Sequence, residues 1–157
     1  MKIRKPAHVV IAEDNAVARE VLRGIIMRDA AFRLVGEAVN GHVALELVKS
    51  LRPDLVCLDV MMPGLDGLSV MRTINDLCPE TRVVLVTGQA TSEVVKEALA
   101  QRAAGLVVKP YSAQKLLQAL HGALSKPAGT KLEARQAHPV DTVPGDPVGP
   151  RSPGEPE

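Results

Sequence analysis

The sequence predicts a doubly wound α/β domain built on a parallel sheet of five strands. Three observations point there. Five short apolar runs, too brief to be buried helices, alternate with five stretches whose apolar residues recur at helical spacing. Hydrophobic residues make up 46% of the chain but aromatics only 1%, so the core must be aliphatic, as suits strands covered by helices on both faces. Four of the runs end in polar or charged residues, Glu13 with Asp14, Asp59, Thr87 and Lys109, and open α/β sheets bind ligands beyond the carboxyl ends of their strands.

Residues 8–12 read as a buried strand ending at Glu13 and Asp14. Asn15 can cap a helix that runs to about residue 28, with Val17, Val21, Leu22 and Ile25 as its inward stripe. A second strand, about 33–38, leads through Asn40 and Gly41 to a helix with Val43, Ala44, Leu47, Val48 and Leu51 inward, stopped before Pro53. The strand carrying Asp59 follows and is ended at once by Pro63, Gly64 and Gly67. After the Asp66 and Gly67 turn, Leu68, Met71, Ile74 and Leu77 recur at helical spacing, and Pro79 closes the segment. Residues 82–87 form the fourth strand, and Thr91 or Ser92 caps a shorter helix that buries Val94, Val95, Ala98 and Leu99. The fifth strand is 105–108, and Ser112 caps a last helix with Leu116, Leu117, Leu120 and Leu124 inward.

Composition divides the chain into a domain over residues 1–125 and a tail over 126–157. The tail holds seven Pro and four Gly in 32 residues and no aromatics, so disorder is expected there and no second domain. The formal net charge is +1, from 19 basic and 18 acidic residues, which gives no reason to expect nucleic-acid or membrane binding. Cys57 and Cys78 show no metal spacing, and free thiols in a reducing, cytoplasmic setting are the expectation. The basic start is followed by an apolar run too short for a signal peptide or a membrane span.

A carboxylate such as Asp59 at the end of an apolar strand loses hydration, and it is tolerated only with cations or donors beside it. Singly, each strand-end residue has an ordinary reading: Asp14 as a helix cap, Thr87 as a strand-end hydroxyl, Lys109 as a solvated charge. Together, at four strand ends, they point to one site. His8, His42, His121 and His138 share no spacing with one another or with a nucleophile, and they read as structural or solvated.

The acidic pair Glu13 and Asp14, the block from Leu58 to Gly67 that carries Asp59, Thr87 with Gly88, and Lys109 with Pro110 resemble, in that order, the receiver domain of bacterial two-component response regulators. The resemblance covers about residues 7–125 and implies a flavodoxin-like sheet of strand order 2-1-3-4-5. It implies that Asp59 is the phosphoacceptor and that Asp14, Asp59 and the Met61 main-chain carbonyl hold Mg²⁺, with Glu13 acting mostly through a metal-bound water. It implies phosphoryl contacts from Lys109, Thr87 and the Gly88 backbone, and a cis bond before Pro110. The implied partners are a sensor histidine kinase or histidine phosphotransfer protein, docking on the first helix around Ala16, Arg19, Glu20 and Arg23, and a downstream protein target. Homodimerisation through the fourth helix, fifth strand and fifth helix is a further implication.

Two positions depart from the pattern. Receivers commonly carry Tyr or Phe three residues before the site lysine, where this chain has Leu106, and Tyr111 cannot serve as the same switch. Met61 and Gln89 occupy the positions that flank the hydrolytic water in this family, which implies a long-lived phosphoryl group. The expected function is a single-domain response regulator acting through protein contacts, an enzyme only toward its own phosphorylation and dephosphorylation. The alternative is a receiver-shaped, phosphorylation-independent binding module, favoured by Leu106 but opposed by the intact charge cluster. A phosphatase with an Asp nucleophile would need a second Asp at Met61, and a flavin site would need a Ser/Thr/Gly-rich loop at Glu13 to Asn15.

Overall fold

The computed structural model describes residues 5–125. The tail expected from Lys126 onward, with His138, lies outside them. Five strands, β1 (Ala7–Ala12), β2 (Phe32–Ala38), β3 (Leu55–Asp59), β4 (Arg82–Thr87) and β5 (Gly105–Val108), alternate with five helices, α1 (Ala16–Met27), α2 (Gly41–Leu51), α3 (Gly67–Leu77), α4 (Ser92–Ala100) and α5 (Ala113–Leu124). All strand pairs are parallel and the order is β2-β1-β3-β4-β5. The doubly wound sheet and its implied order are both present.

The apolar runs are continuous because the sheet is covered on both faces. Val10, Ala12, Val56, Leu58 and Leu85 point to the layer holding α2, α3 and α4, where they meet Ala44, Val48, Val70, Met71, Ile74 and Ala98. Val9, Ile11, Leu55, Cys57, Val84 and Val86 point the other way, onto Leu22 and Ile26 of α1 and Leu116, Leu120 and Ala123 of α5. Each helix starts on a side-chain cap: Asn15, Asn40, Asp66, Thr91 and Ser112 accept from the amides of Ala18, Val43, Ser69, Val94 and Lys115. Thr91, rather than Ser92, caps α4.

The helix faces correct the sequence reading in places. On α1 the buried residues are Leu22 and Ile26, whereas Val17 is 71% exposed and Val21 50%. At about 100° per residue, a stripe centred on Leu22 and Ile26 carries Val21 to its margin and Val17 beyond it. Leu51 and Leu77, at the last turns of α2 and α3, are partly exposed, and Val70 joins Met71 and Ile74 in the core face of α3.

A bulge in β2 bears on the site. Val9 pairs with Leu34 but Val10 with Gly36, so Val35 is the extra residue. Gly36 faces α2, where an added Cβ would come within 3.2 Å of Leu47, and Glu37 then falls on the α1 face beside Ile11. Strict alternation from Leu34 would have sent Glu37 to the opposite face. At the far end of the sheet, His121 of α5 meets Asp29 at 2.8 Å and lies 4.8 Å from the Phe32 ring, a structural contact as expected. Among the described residues, no helix is long and apolar enough to cross a membrane.

Candidate phosphoacceptor site

Parallel strands all present their carboxyl ends to one rim, so the fold gathers residues far apart in sequence. β1 delivers Glu13 and Asp14, β3 delivers Asp59, β4 delivers Thr87 and β5 delivers Lys109. Glu13 and Asp59 are 1% and 4% exposed, while Asp14 is open to solvent. Carboxylate oxygens of all three lie within 4.8 Å of one another. The two buried ones share the ammonium of Lys109, whose Nζ is 3.2 Å from Glu13 Oε1 and 3.2 Å from Asp59 Oδ2.

Each buried carboxylate has a second anchor. Glu13 Oε2 accepts from the Asn15 amide at 3.0 Å, and Asp59 Oδ1 accepts from the Met61 amide at 3.0 Å. Burial pushes the Glu13 carboxyl above the ordinary range, and the neighbouring Asp59 pushes the same way. Burial pulls Lys109 down, but its bonds to Asp59 and Glu13 outweigh that and leave its pKa raised. The buried Cys57 thiol is pushed up to about 12, by burial first and then by the charges of Glu13 and Asp59, which makes it inert. Tyr111 is likewise raised to about 12, chiefly by burial.

Thr87 is fully buried at the rim, and its hydroxyl is engaged in its own loop: Oγ1 accepts from the Gln89 amide at 3.0 Å and donates to the Gln89 carbonyl at 3.1 Å. Gly88 is exposed, with nothing near its Cβ position. The Met61 side chain is 56% exposed beside the rim. The Lys109–Pro110 bond is cis, and the Lys109 amide donates to Thr87 O at 2.8 Å, tying the ends of β4 and β5 together. The structure therefore groups Glu13, Asp14, Asp59 and Lys109 directly, with Thr87 at the end of β4 and Gly88 and Met61 on the loops that follow β4 and β3.

Two contributors escaped the sequence reading. Gly67, read there as a turn residue, is the first residue of α3 and presses on the strand end: a Cβ would sit 2.3 Å from Asp59 O and 2.7 Å from Val60 Cα. Its signal was the glycine itself, since close backbone approach is what glycine permits. Arg19, named from the resemblance as part of the docking surface of the first helix, turns its guanidinium onto the Glu13 main-chain carbonyl at 2.9 Å. Neither spacing nor composition marks that contact.

Three carboxylates against one ammonium leave the rim with surplus negative charge and an all-oxygen donor set, which fits a hard divalent cation such as Mg²⁺. The comparisons agree with this architecture. A family model described as the response regulator receiver domain matches residues 9–121. This chain belongs to the response regulator receiver family. The chemotaxis protein CheY of Thermotoga maritima is 32% identical over 113 residues, covering 72% of this chain and 93% of that protein. A protein-glutamate methylesterase/protein-glutamine glutaminase of Myxococcus xanthus is 37% identical over 146 residues, 92% of this chain, although the chain spans only 42% of that protein's length. Among solved structures, the signal receiver domain of the putative response regulator NarL from Mycobacterium tuberculosis has 32% identity and a TM-score of 0.74, covering 78% of this chain and all of that one. CheY in the CheX-CheY-BeF3-Mg complex from Borrelia burgdorferi has 27% identity and a TM-score of 0.73 over 77% of this chain and 91% of that one.

Proposed function

We propose that this receiver accepts a phosphoryl group on Asp59 from a histidine kinase or histidine phosphotransfer protein and signals through protein contacts. The observation that carries the reading is Asp59, nearly buried at a strand end with Lys109 Nζ at 3.2 Å and two further carboxylates alongside. A carboxylate approaching a phosphoryl group meets like charge, so the reaction depends on cations and alignment more than on acid or base catalysis. An Asp59 oxygen forms the new P–O bond, the P–N bond to the donor imidazole breaks, and its electron pair leaves on the imidazole nitrogen, which is protonated from solvent.

Asp14, Asp59 and the Met61 carbonyl are the residues that would hold Mg²⁺, with Glu13 beside them, and the ion when bound would supply positive charge that offsets the repulsion between carboxylate and phosphoryl group. Lys109 would follow the charge, moving from Asp59 to a phosphoryl oxygen as the carboxylate becomes an acyl phosphate. Thr87 must exchange its bonds to Gln89 for a phosphoryl oxygen, which would move the loop after β4 and so the face made by α4, β5 and α5. That face is the proposed output or dimer surface, with Leu106 half-buried in place of an aromatic. For the donor, Val17 and Val21 give α1 an exposed apolar face near the rim, whereas Arg19 and Arg23 are occupied by Glu37.

The test is incubation with acetyl phosphate and Mg²⁺. An alkali-labile phosphoryl group on the wild type, absent from Asp59→Ala, is the expected result. Phosphate uptake unaffected by Asp59→Ala would refute Asp59 as the acceptor, and none under conditions that saturate the divalent site would leave the phosphorylation-independent binding module as the reading.

A further inference from the structure

We propose that Arg19 is a positioning residue for the divalent-cation site, fixing the peptide that joins Glu13 to Asp14, and that Glu37 and Arg23 hold it in that role. The inference rests on the reading of the rim as a cation site. Arg19 lies inside α1, yet its side chain folds back over the turn between β1 and α1. Nη1 donates to the Glu13 carbonyl at 2.9 Å, and Nε lies 3.5 Å from Oε1 of Glu37. Glu37 is itself gripped by Arg23 through two parallel bonds of 2.9 Å, Nε to Oε2 and Nη2 to Oε1. The Arg19 side chain is only 18% exposed, so water competes little for these contacts.

The Glu13 side chain has its own anchors in the Asn15 amide and Lys109. Asp14 does not: among the described residues, no hydrogen bond holds its carboxylate, so its place depends on the main chain that carries it. The Glu13 carbonyl and the Asp14 N–H belong to one peptide. A guanidinium on that carbonyl therefore sets the orientation of the unit from which the Asp14 side chain projects, and partners that orient ligands in this way commonly govern metal affinity.

Two effects of Arg19 on a bound cation have opposite signs, which makes the proposal testable. A positive charge near three carboxylates repels a cation, so if charge were its whole effect, removing it would tighten Mg²⁺ binding. If Arg19 holds the peptide in place, removing it loosens binding. Calorimetric Mg²⁺ titrations of the wild type, Arg19→Met, Arg19→Lys and Glu37→Gln, made well below each melting temperature, separate the two. The expected result is affinity about tenfold weaker in Arg19→Met. Arg19→Lys should also be weaker, because one ammonium cannot serve the Glu13 carbonyl and Glu37 in the fork geometry of arginine. Glu37→Gln should fall between. Arg19→Met binding as tightly as wild type or tighter, with Arg19→Lys unchanged, overturns the proposal. If Arg19→Met does not fold, Arg19→Lys and Glu37→Gln carry the comparison.

A metal-free readout accompanies it: ¹⁵N relaxation at the Asp14 amide should show increased fast motion in the Arg19 variants, an effect that a general loss of stability in a still-folded protein does not produce. Unchanged relaxation there refutes the hold on the turn. A wild type that takes up no Mg²⁺ refutes the cation site itself and with it this role, a failure distinct from an Arg19 variant that binds normally.

Discussion

The molecule handles acidic residues in opposite ways at two neighbouring places, the ends of the paired strands β1 and β2. At the rim, Glu13 and Asp59 are almost fully buried and share one ammonium, with Asp14 adding further negative charge. At the neighbouring edge, Glu37 remains 30% exposed and has two guanidinium partners, Arg19 and Arg23. Burial raises the Glu13 carboxyl, whereas the Arg23 bond holds Glu37 below the ordinary carboxylate range. Charge at the edge supports the fold. At the rim it opposes the fold, and a carboxylate surplus kept against that cost is consistent with a site that awaits a cation and a phosphoryl group.

Four substitutions break or sharpen this contrast. Lys109→Met should have the largest effect, because it leaves two buried carboxylates without a cation; a loss of about 2 kcal/mol is expected in urea unfolding at neutral pH, below the range for fully buried pairs since the lysine is partly exposed. Glu13→Gln should act in the opposite direction, stabilising the metal-free protein by about 1 kcal/mol at neutral pH. The folded-state pKa of Glu13 lies above its ordinary 4.5, so its cost is absent below that value and grows as pH rises through the raised one. Wild type and Glu13→Gln should therefore converge in stability at about pH 4 and diverge toward neutrality. Divergence in acid instead would refute the rim's unfavourable balance.

Glu37→Gln should cost about 0.5 kcal/mol at neutral pH, as befits a partly exposed pair. Its pKa is depressed, so its contribution is present above the ordinary 4.5 and disappears as pH falls through the lowered value. The pH profile of the Glu37→Gln difference is thus the mirror of the Glu13→Gln profile. The smallest effect belongs to Arg52 and Glu80, 3.3 Å apart with side chains 62% and 60% exposed; Glu80→Gln should change stability by less than about 0.5 kcal/mol, and less still in high salt.

The rim was legible in the sequence because its parts sit at the ends of apolar runs, and a parallel sheet sends every such end to the same side. The caps at Asn15, Thr91 and Ser112 were legible for a local reason, since a cap bonds an amide three residues away, whereas Asn40 and Asp66, read as connection and turn residues, also cap their helices. The rotation of α1 was not. With Val17, Val21, Leu22, Ile25 and Ile26 all apolar, more than one face could turn inward, and the choice fell to the fit against β1, β2 and α5. Burying Leu22 and Ile26 contributes roughly 1.5–3 kcal/mol for each side chain. Val17 and Val21 are left outward, where the sequence reading had placed them in the core.

By itself, the sequence determined the order of elements, most of the caps, the aliphatic core and the set of polar residues at the strand ends, since each of these follows from spacing or from contacts within a few residues. Only the tertiary structure decided that Glu37 would stand on the α1 face, because that depends on a single bulged residue, Val35, reversing the alternation of β2. It also decided that Arg19 would turn from solvent to the Glu13 carbonyl and that Gly67 would rest on the Asp59 backbone. Those contacts join segments whose separation is fixed only once the layers have packed, and no local pattern encodes that distance.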